Sequence, residues 1–239
     1  RAVRSSQTER SVAKAARRGI MSSIEEHIEE IASASDNIVE QAVGHIYANE
    51  VVLVYGGSVT VELFLLEAAK KRKFEVIVAE HAPHCGGHAL ARKLACVGGL
   101  NVTLVPDAAV FAVMSRVHKV ILGAHAVMAN GGLMASCGAH MTAAAAKLHA
   151  KPVVVCVGLY KLTPLFPHDR DSLNEMLSPG SLVSYGELAG TRNIHVVNPA
   201  FDHVPPELVT LFITNNGGYI PAFMYRLLRE YYNNVDTQL

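Results

Sequence analysis

Hydrophobic positions change period once along this chain, near residue 50. Before it they recur with helical spacing. In "SIEEHIEEIA" Ile24, Ile28 and Ile31 fall on one face with glutamates opposite, and in "SDNIVEQAVGHIYANE" Ile38, Ala42, His45 and Ile46 form an inner stripe. Ser35 or Asp36 reads as the N-cap of a second helix, so residues 1–49 predict a helical hairpin or bundle rather than a sheet layer. After residue 50 short β-rich runs take over: "VVLVY" (51–55), "EVIVAE" (75–80), "NVTLV" (101–105), "KVILGA" (119–124), "PVVVCV" (152–157), "IHVVN" (194–198) and "TLFIT" (210–214). Helical patterns separate most of them. "TVELFLLEAAKKRK" (60–73) is amphipathic, and "AHMTAAAAKLHA" (139–150) carries small residues that suit close packing on a sheet.

Unbroken Val/Ile runs belong to strands covered on both faces, which implies parallel pairing with right-handed crossovers. The fold class is therefore α/β: an N-terminal helical subdomain (1–49), then a Rossmann-like, mostly parallel doubly wound sheet (50–239). Residues 158–193 are rich in turn formers and read as a long excursion with short helices, placed as a rim or lid. "VPPELVTLFITNNGGYIPAFMYRLLREYY" reads as a Pro-set turn, a last strand, a Gly-Gly turn and a C-terminal amphipathic helix.

Composition narrows the function classes. Half of the 239 residues are hydrophobic, which suits one well-buried unit with a small appendage. Lys+Arg and Asp+Glu balance at 21 each, so no global field selects nucleic acid or an anionic membrane. The charge is uneven: residues 1–18 are basic and residues 25–40 acidic, read as solvated helix faces. No apolar run reaches the ~20 residues of a membrane span, and no signal-peptide core is present. Arg1 in place of an initiator Met fits a piece with residues upstream. Cys85, Cys96, Cys137 and Cys156 form no CxxC pair, so they read as small apolar thiols of a reduced, cytoplasmic protein.

Candidate chemistry gathers at strand ends: "GGS" (56–58), "EHAPHCGGH" (80–88), "PDAAV" (106–110) and "GAHAVMANGG" (123–132). A doubly wound sheet brings such turns to one crevice, and a Gly-Gly-Ser turn entering a helix favours an anion there. Each turn alone reads as a capped βα connection; together they imply a pocket. No reacting group stands out. Ser58 lies outside any G-x-S-x-G elbow and reads as a capping hydroxyl; Asp107 reads as the N-cap of the next helix. Cys85 lies between His84 and His88 but in no fixed Cys–His motif. His81, His84, His88 and His125 lack metal-ligand spacing. No Walker loop or post-strand G-x-G-x-x-G occurs, so neither a metal nor a cofactor is expected.

Longer stretches carry a resemblance. "VAEHAPHCGGHALA", "VTLVPDAAVFAVMSRVHKVILGAHAVMANGGLMASCGAH", "YKLTPLFP" and above all "FDHVPPELVTLFITNNGG" closely resemble the regulatory subunits of eukaryotic translation initiation factor 2B. Relatives of that family include ribose-1,5-bisphosphate isomerase and methylthioribose-1-phosphate isomerase. The likeness runs from about Ser35 to near the C-terminus, and "AVMSRVHKVILGAHAVMANG" fits the alpha and delta subunits less well than the remaining regulatory type.

The resemblance implies a degenerate pocket. Where the isomerases carry a catalytic Cys at the end of the first strand, this chain has Gly56, followed by Gly57 and Ser58. The acid/base Asp of their "GAD" motif becomes His125, their phosphate- and sugar-binding arginines become Ala82 and His88, and their Asn-Lys pair becomes Ala135 and Ser136. Asn130 and Gly131 persist. Glycine is no nucleophile, and lost arginines remove charge-assisted contacts of roughly 1.5–3 kcal/mol each.

By the same resemblance the chain is a non-catalytic subunit of the decameric guanine nucleotide exchange factor for initiation factor 2. The family pattern implies pairing with the homologous delta subunit, in an assembly with alpha, gamma and epsilon subunits, and a part in sensing phosphorylation of the alpha subunit of initiation factor 2. No direct nucleic acid or membrane contact is implied, and the isolated chain could pair with itself. "MYRLLREYY" and "FDHVPP" suit an interface and an interior equally. Two further readings stand beside this one: an isomerase with altered chemistry, and a metabolite-binding regulatory module.

Overall fold

The computed structural model describes residues 2–96, 100–166, 174–184, 186–188 and 193–232. Helices α1 (Ala2–Glu40) and α2 (Ala42–His45) precede β1 (Val51–Tyr55), α3 (Val59–Lys71), β2 (Glu75–Ala79), α4 (Gly86–Ala95) and β3 (Asn101–Val105). Then come α5 (Val110–Val113), β4 (Lys119–Gly123), β5 (Ala126–Val127), β6 (Leu133–Ser136), α6 (Ala139–Leu148) and β7 (Val153–Cys156). The chain continues through β8 (Phe201–Val204), β9 (Leu211–Thr214), β10 (Gly217–Tyr219) and α7 (Met224–Tyr231).

Seven strands form one sheet in the order β10-β9-β7-β4-β1-β2-β3. Every pairing in it is parallel except the β9–β10 hairpin. Residues along each inner strand alternate between two cores, as a period-2 backbone requires. On one face Val52 and Val54 join Ile38, Ile46, Phe64 and Leu65 from α1, the end of α2 and α3. On the other, Leu53 joins Met114, Ala143, Phe212 and Leu227. The strand order reverses between β1 and β4, so the chain leaves their carboxyl ends in opposite directions and opens a crevice. The Rossmann-like expectation holds on this topology.

Several local expectations do not. The N-terminal segment is one 39-residue helix rather than a hairpin. Ser35 and Asp36 sit inside it, because no Gly or Pro lies between Ile20 and Glu40 and Ala34 and Ile38 keep helical spacing into the core. The C-terminal part of this region is tied down: the Gln41 amide donates to the Thr214 carbonyl at 2.8 Å, and Lys119 bridges to Glu50 at 3.3 Å and to the His45 carbonyl.

"IHVVN" (194–198) is not a strand. Ile194 and Val197 are exposed, and the Asn198 amide instead donates to the Ser178 carbonyl and the Ser181 hydroxyl, each at 2.9 Å. The β7 edge it would have joined is occupied by β9. The strand forms a few residues later, as β8 in a three-stranded antiparallel sheet with β5 and β6. The Gly-Gly pair likewise lies within β10, since Asn215 and Asn216 make the turn between the paired Thr214 and Gly217. The excursion at 158–193 lies partly outside the described residues; within them it carries 3-10 turns at Leu159–Lys161 and Pro179–Ser181.

Candidate functional site

Strand β1 ends at Tyr55, and the backbone turns through Gly56 at φ +88° before Ser58 opens α3. Only glycine adopts that φ without strain. A Cβ on Gly56 would also lie 2.7 Å from the Ser136 hydroxyl, which occupies the space a side chain would need. Ser58 takes the N-cap position with extended backbone, but its hydroxyl caps no amide. It packs instead on Gly123 at the end of β4, where an added Cβ would lie 2.4 Å from the Ser58 Cβ. The expected capping hydroxyl is thus a spacer between the two strand ends.

Between these ends lies an open cleft of about 440 Å³. Gly56, Gly57 and Ser58 form one wall, Gly123 and His125 another, and Ser136 and Phe201 from the small sheet a third. The His125 ring stacks on Phe201 with centroids 4.3 Å apart. Tyr160 and Lys161, which sequence reasoning did not assign to the site, complete the lining. The Lys161 ammonium donates to the Ala124 carbonyl at 2.9 Å and sits 5.9 Å from the Tyr160 ring centroid. Burial holds its pKa below the ordinary lysine value. Among the described residues it forms no ion pair, and no carboxylate lines the cleft.

The remaining sequence candidates lie elsewhere. Ala82 lines a second cavity of about 250 Å³ with His81, His84, Cys137 and Asn198. His88 projects from α4 with its Nε2 4.0 Å from Glu80, and lines neither cavity. Asn130 accepts the Gly132 amide at 2.9 Å in the β5–β6 loop, where a Cβ on Gly131 would lie 2.3 Å from the Pro221 carbonyl oxygen. These two hold a loop shape. Asp107 caps no helix with its side chain; its carboxylate accepts the His81 and Ala82 amides at 2.9 and 2.7 Å. Three of the four strand-end loops therefore line two separate cavities, and the fourth supports the second of them through Asp107. Among the described residues no three His, Cys, Asp or Glu side chains group as metal ligands.

A thiol and a carboxylate do meet at the edge of the second cavity, and no sequence signal pointed there. Asp202 on β8 reaches the start of α6, accepting the Gly138 amide at 2.6 Å and the His140 amide at 3.2 Å. Gly138 has no side chain to cap that helix, so the β8 carboxylate substitutes. Asp202 also adjoins Cys137. Burial first, and then this carboxylate, push the Cys137 thiol above its usual pKa. The pair is therefore a helix clamp beside a quiet thiol. Replacing Asp202 by Asn should cost roughly 1.5–3 kcal/mol in a denaturation midpoint, the value of a hydrogen bond to a charged group. In native protein at pH 7.5, iodoacetamide should label exposed Cys85 and Cys96 well before Cys137, and D202N should accelerate Cys137 labelling. Rapid Cys137 labelling in the unsubstituted chain would contradict the assignment.

The Initiation factor 2 subunit family matches residues 1–221. The chain is 52% identical over 217 residues to translation initiation factor eIF2B subunit beta of Dictyostelium discoideum, covering 91% of this chain and 56% of that protein. Against eIF2B subunit delta of the same organism identity is 32% over 232 residues, covering 92% and 37% respectively. The chain thus spans about half, or less, of the length of the curated relatives it matches. Crystal structures of eIF2B beta and of the tetrameric eIF2B-beta2-delta2 complex from Chaetomium thermophilum align with TM-scores of 0.73 and 0.71, both at 35% identity. They cover 92% and 90% of this chain, and 60% and 65% of theirs. A 5-methylthioribose 1-phosphate isomerase from Pyrococcus horikoshii shares the fold with a TM-score of 0.68 at 24% identity over 83% of this chain and 58% of that one. With a strand-end cleft built as described and a match over most of its length, the chain belongs to the initiation factor 2 subunit family.

Proposed function

We propose that this chain works as a non-catalytic, beta-type regulatory subunit of the exchange factor for initiation factor 2. It pairs with a homologous delta-type chain and leaves nucleotide exchange to other subunits. Gly56 carries this reading. The first strand ends in a residue at φ +88° whose side-chain volume is filled by Ser136, so the position cannot present a thiol to the cleft without moving its neighbour. The His125 ring faces Phe201 rather than a carboxylate, and the Cys137 thiol nearby is held protonated. Relatives named as the beta and delta subunits, and a solved complex named as beta2-delta2, support the pairing. An assembly with alpha, gamma and epsilon subunits in the cytoplasm, responsive to phosphorylation of the alpha subunit of initiation factor 2, completes the reading.

Co-expression with a delta-type chain should yield a complex containing both chains, and purified protein should turn over neither ribose-1,5-bisphosphate nor methylthioribose-1-phosphate. A chain that elutes alone beside its partner, or steady product formation above blank, would defeat the proposal. A second reading rests on Lys161: its ammonium, unpaired with any carboxylate among the described residues, and the backbone amides at the α3 start give the cleft a positive lining. A regulatory metabolite with an anionic group would then raise the melting temperature, and Lys161→Met would abolish that rise.

A further inference from the structure

Lys161 is the one amine lining the larger cleft, and its segment is fixed from both sides. Asn215 accepts the Leu159 amide at 2.9 Å, and the Val127 carbonyl accepts the Thr163 amide at 2.8 Å. The Tyr160 ring packs so closely on Gly158 that an added Cβ there would lie 2.3 Å from it. The lysine side chain therefore starts from a held backbone, and the Ala124 carbonyl takes one of its three ammonium donors. Lys70, Lys93 and Lys119, by contrast, are each bridged to a glutamate. No carboxylate lines the cleft to favour the charged form of Lys161, and burial disfavours it.

A lysine amine desolvated in this way is a nucleophile toward carbonyl carbon. The neutral Nζ forms a bond to the carbon of an aldehyde and passes one of its protons to the aldehyde oxygen. A second proton from solvent lets that oxygen leave as water, and an iminium remains. Nothing is oxidised or reduced, and adding water back releases the amine. The iminium keeps the positive charge in a cleft without carboxylates, so the charge that balances it comes from the bound molecule. The cleft has room for one, since its volume of about 440 Å³ falls within the ~300–1,000 Å³ of small-molecule sites.

We propose that Lys161 is a covalent, reversible attachment point for a small aldehyde that also carries an anionic group. The inference rests on the second reading above for an anion in the cleft, and adds the bond that holds it.

Incubation of the 239-residue chain with pyridoxal phosphate, an anionic aldehyde, followed by borohydride reduction and peptide mapping, tests it. At equimolar probe the reduced adduct should sit on Lys161, about tenfold or more above any other lysine. Pyridoxal, which lacks the phosphate, should label Lys161 about tenfold less. Lys161→Arg keeps a cation and a donor for the Ala124 carbonyl but forms no imine, so this variant should lose the adduct. It should still gain melting temperature from pyridoxine phosphate, which carries an alcohol in place of the aldehyde. Labelling spread over the exposed lysines, or a spared Lys161, would overturn the proposal. Equal labelling by pyridoxal would overturn it too, since the anionic group would then have no part. With Lys161 spared, a melting-temperature rise from pyridoxine phosphate in the unsubstituted chain would leave the anion reading standing, and no rise would remove that reading as well.

Discussion

Gly138→Ala should destabilise the protein by about 2–5 kcal/mol, although it adds one methyl group. Gly138 has φ +97°, a region that costs an L-residue about 1–2 kcal/mol. Its Cβ would also fall 1.8 Å from the Tyr55 hydroxyl oxygen, and relieving such overpacking costs typically about 1–3 kcal/mol more. Tyr55 cannot simply swing aside. Its hydroxyl donates to the Cys137 carbonyl at 2.8 Å, and the residue is 4% exposed in the core. The displacement would pass to the α6 start, where Asp202 holds the Gly138 and His140 amides, and through Tyr55 and Cys137 to the lining of each cavity. A urea midpoint measured beside Gly44→Ala checks the cause. Gly44 lies in a helix with nothing within 4 Å of its would-be Cβ, so that change should stabilise by up to about 1 kcal/mol. Equal small effects at the two glycines would refute the steric account.

Phe64→Ala should cost about 3–5 kcal/mol, the usual range for emptying a buried aromatic site. Phe64 is fully buried on α3 in the core that holds Ile38, Ala42 and Ile46 from the N-terminal region beside Val54 and Val76 from the sheet. The cavity would therefore loosen the N-terminal helices from the domain as well as weaken the domain itself. Amide exchange from Ile38 to Ile46 should accelerate together with the fall in midpoint, whereas Val59→Ala, on the exposed side of the same helix, should leave both nearly unchanged. A Phe64→Ala protein with unaltered exchange across that segment would show that those helices are held by other contacts.

The two glycines that shape the cleft also bear on what the fold can do. At Gly56 and Gly123 the would-be Cβ atoms meet serine side chains, Ser136 and Ser58, rather than open space. Paired small residues thus set the width of the cleft, and its walls interlock. Lys161 enters from a segment beyond β7 and contributes to the site an ammonium that pairs with no carboxylate among the described residues.

Much of the fold was legible because buried parallel strands need runs such as Val51–Tyr55 and Val153–Cys156, and amphipathic helices such as α3 need an apolar face; both signals are local. The Gly56 to Ser58 turn and His125 could be placed at strand ends for the same reason. The small sheet could not be read that way. Whether residues 194–198 or 201–204 become a strand depends on which sheet edge is free, and that is settled by β9 beside β7 and β6 beside β8. Asn130 and Gly131 turn the β5–β6 hairpin, but their stretch reads equally as a capped βα connection, so the sheet that carries Ser136 and Phe201 to the site had no distinct local sign.

By itself the sequence determined the layered α/β plan and the charge division of α1, since each follows from residue type and spacing. Tertiary structure alone decided that Asp107 and Asp202 clamp distant amides, that Lys161 joins the cleft, and that the isoleucines from Ile20 to Ile31 stay in solvent while Ile38 is buried. Those outcomes depend on distances between segments far apart in the chain, and periodicity carries no information about which distant groups will meet.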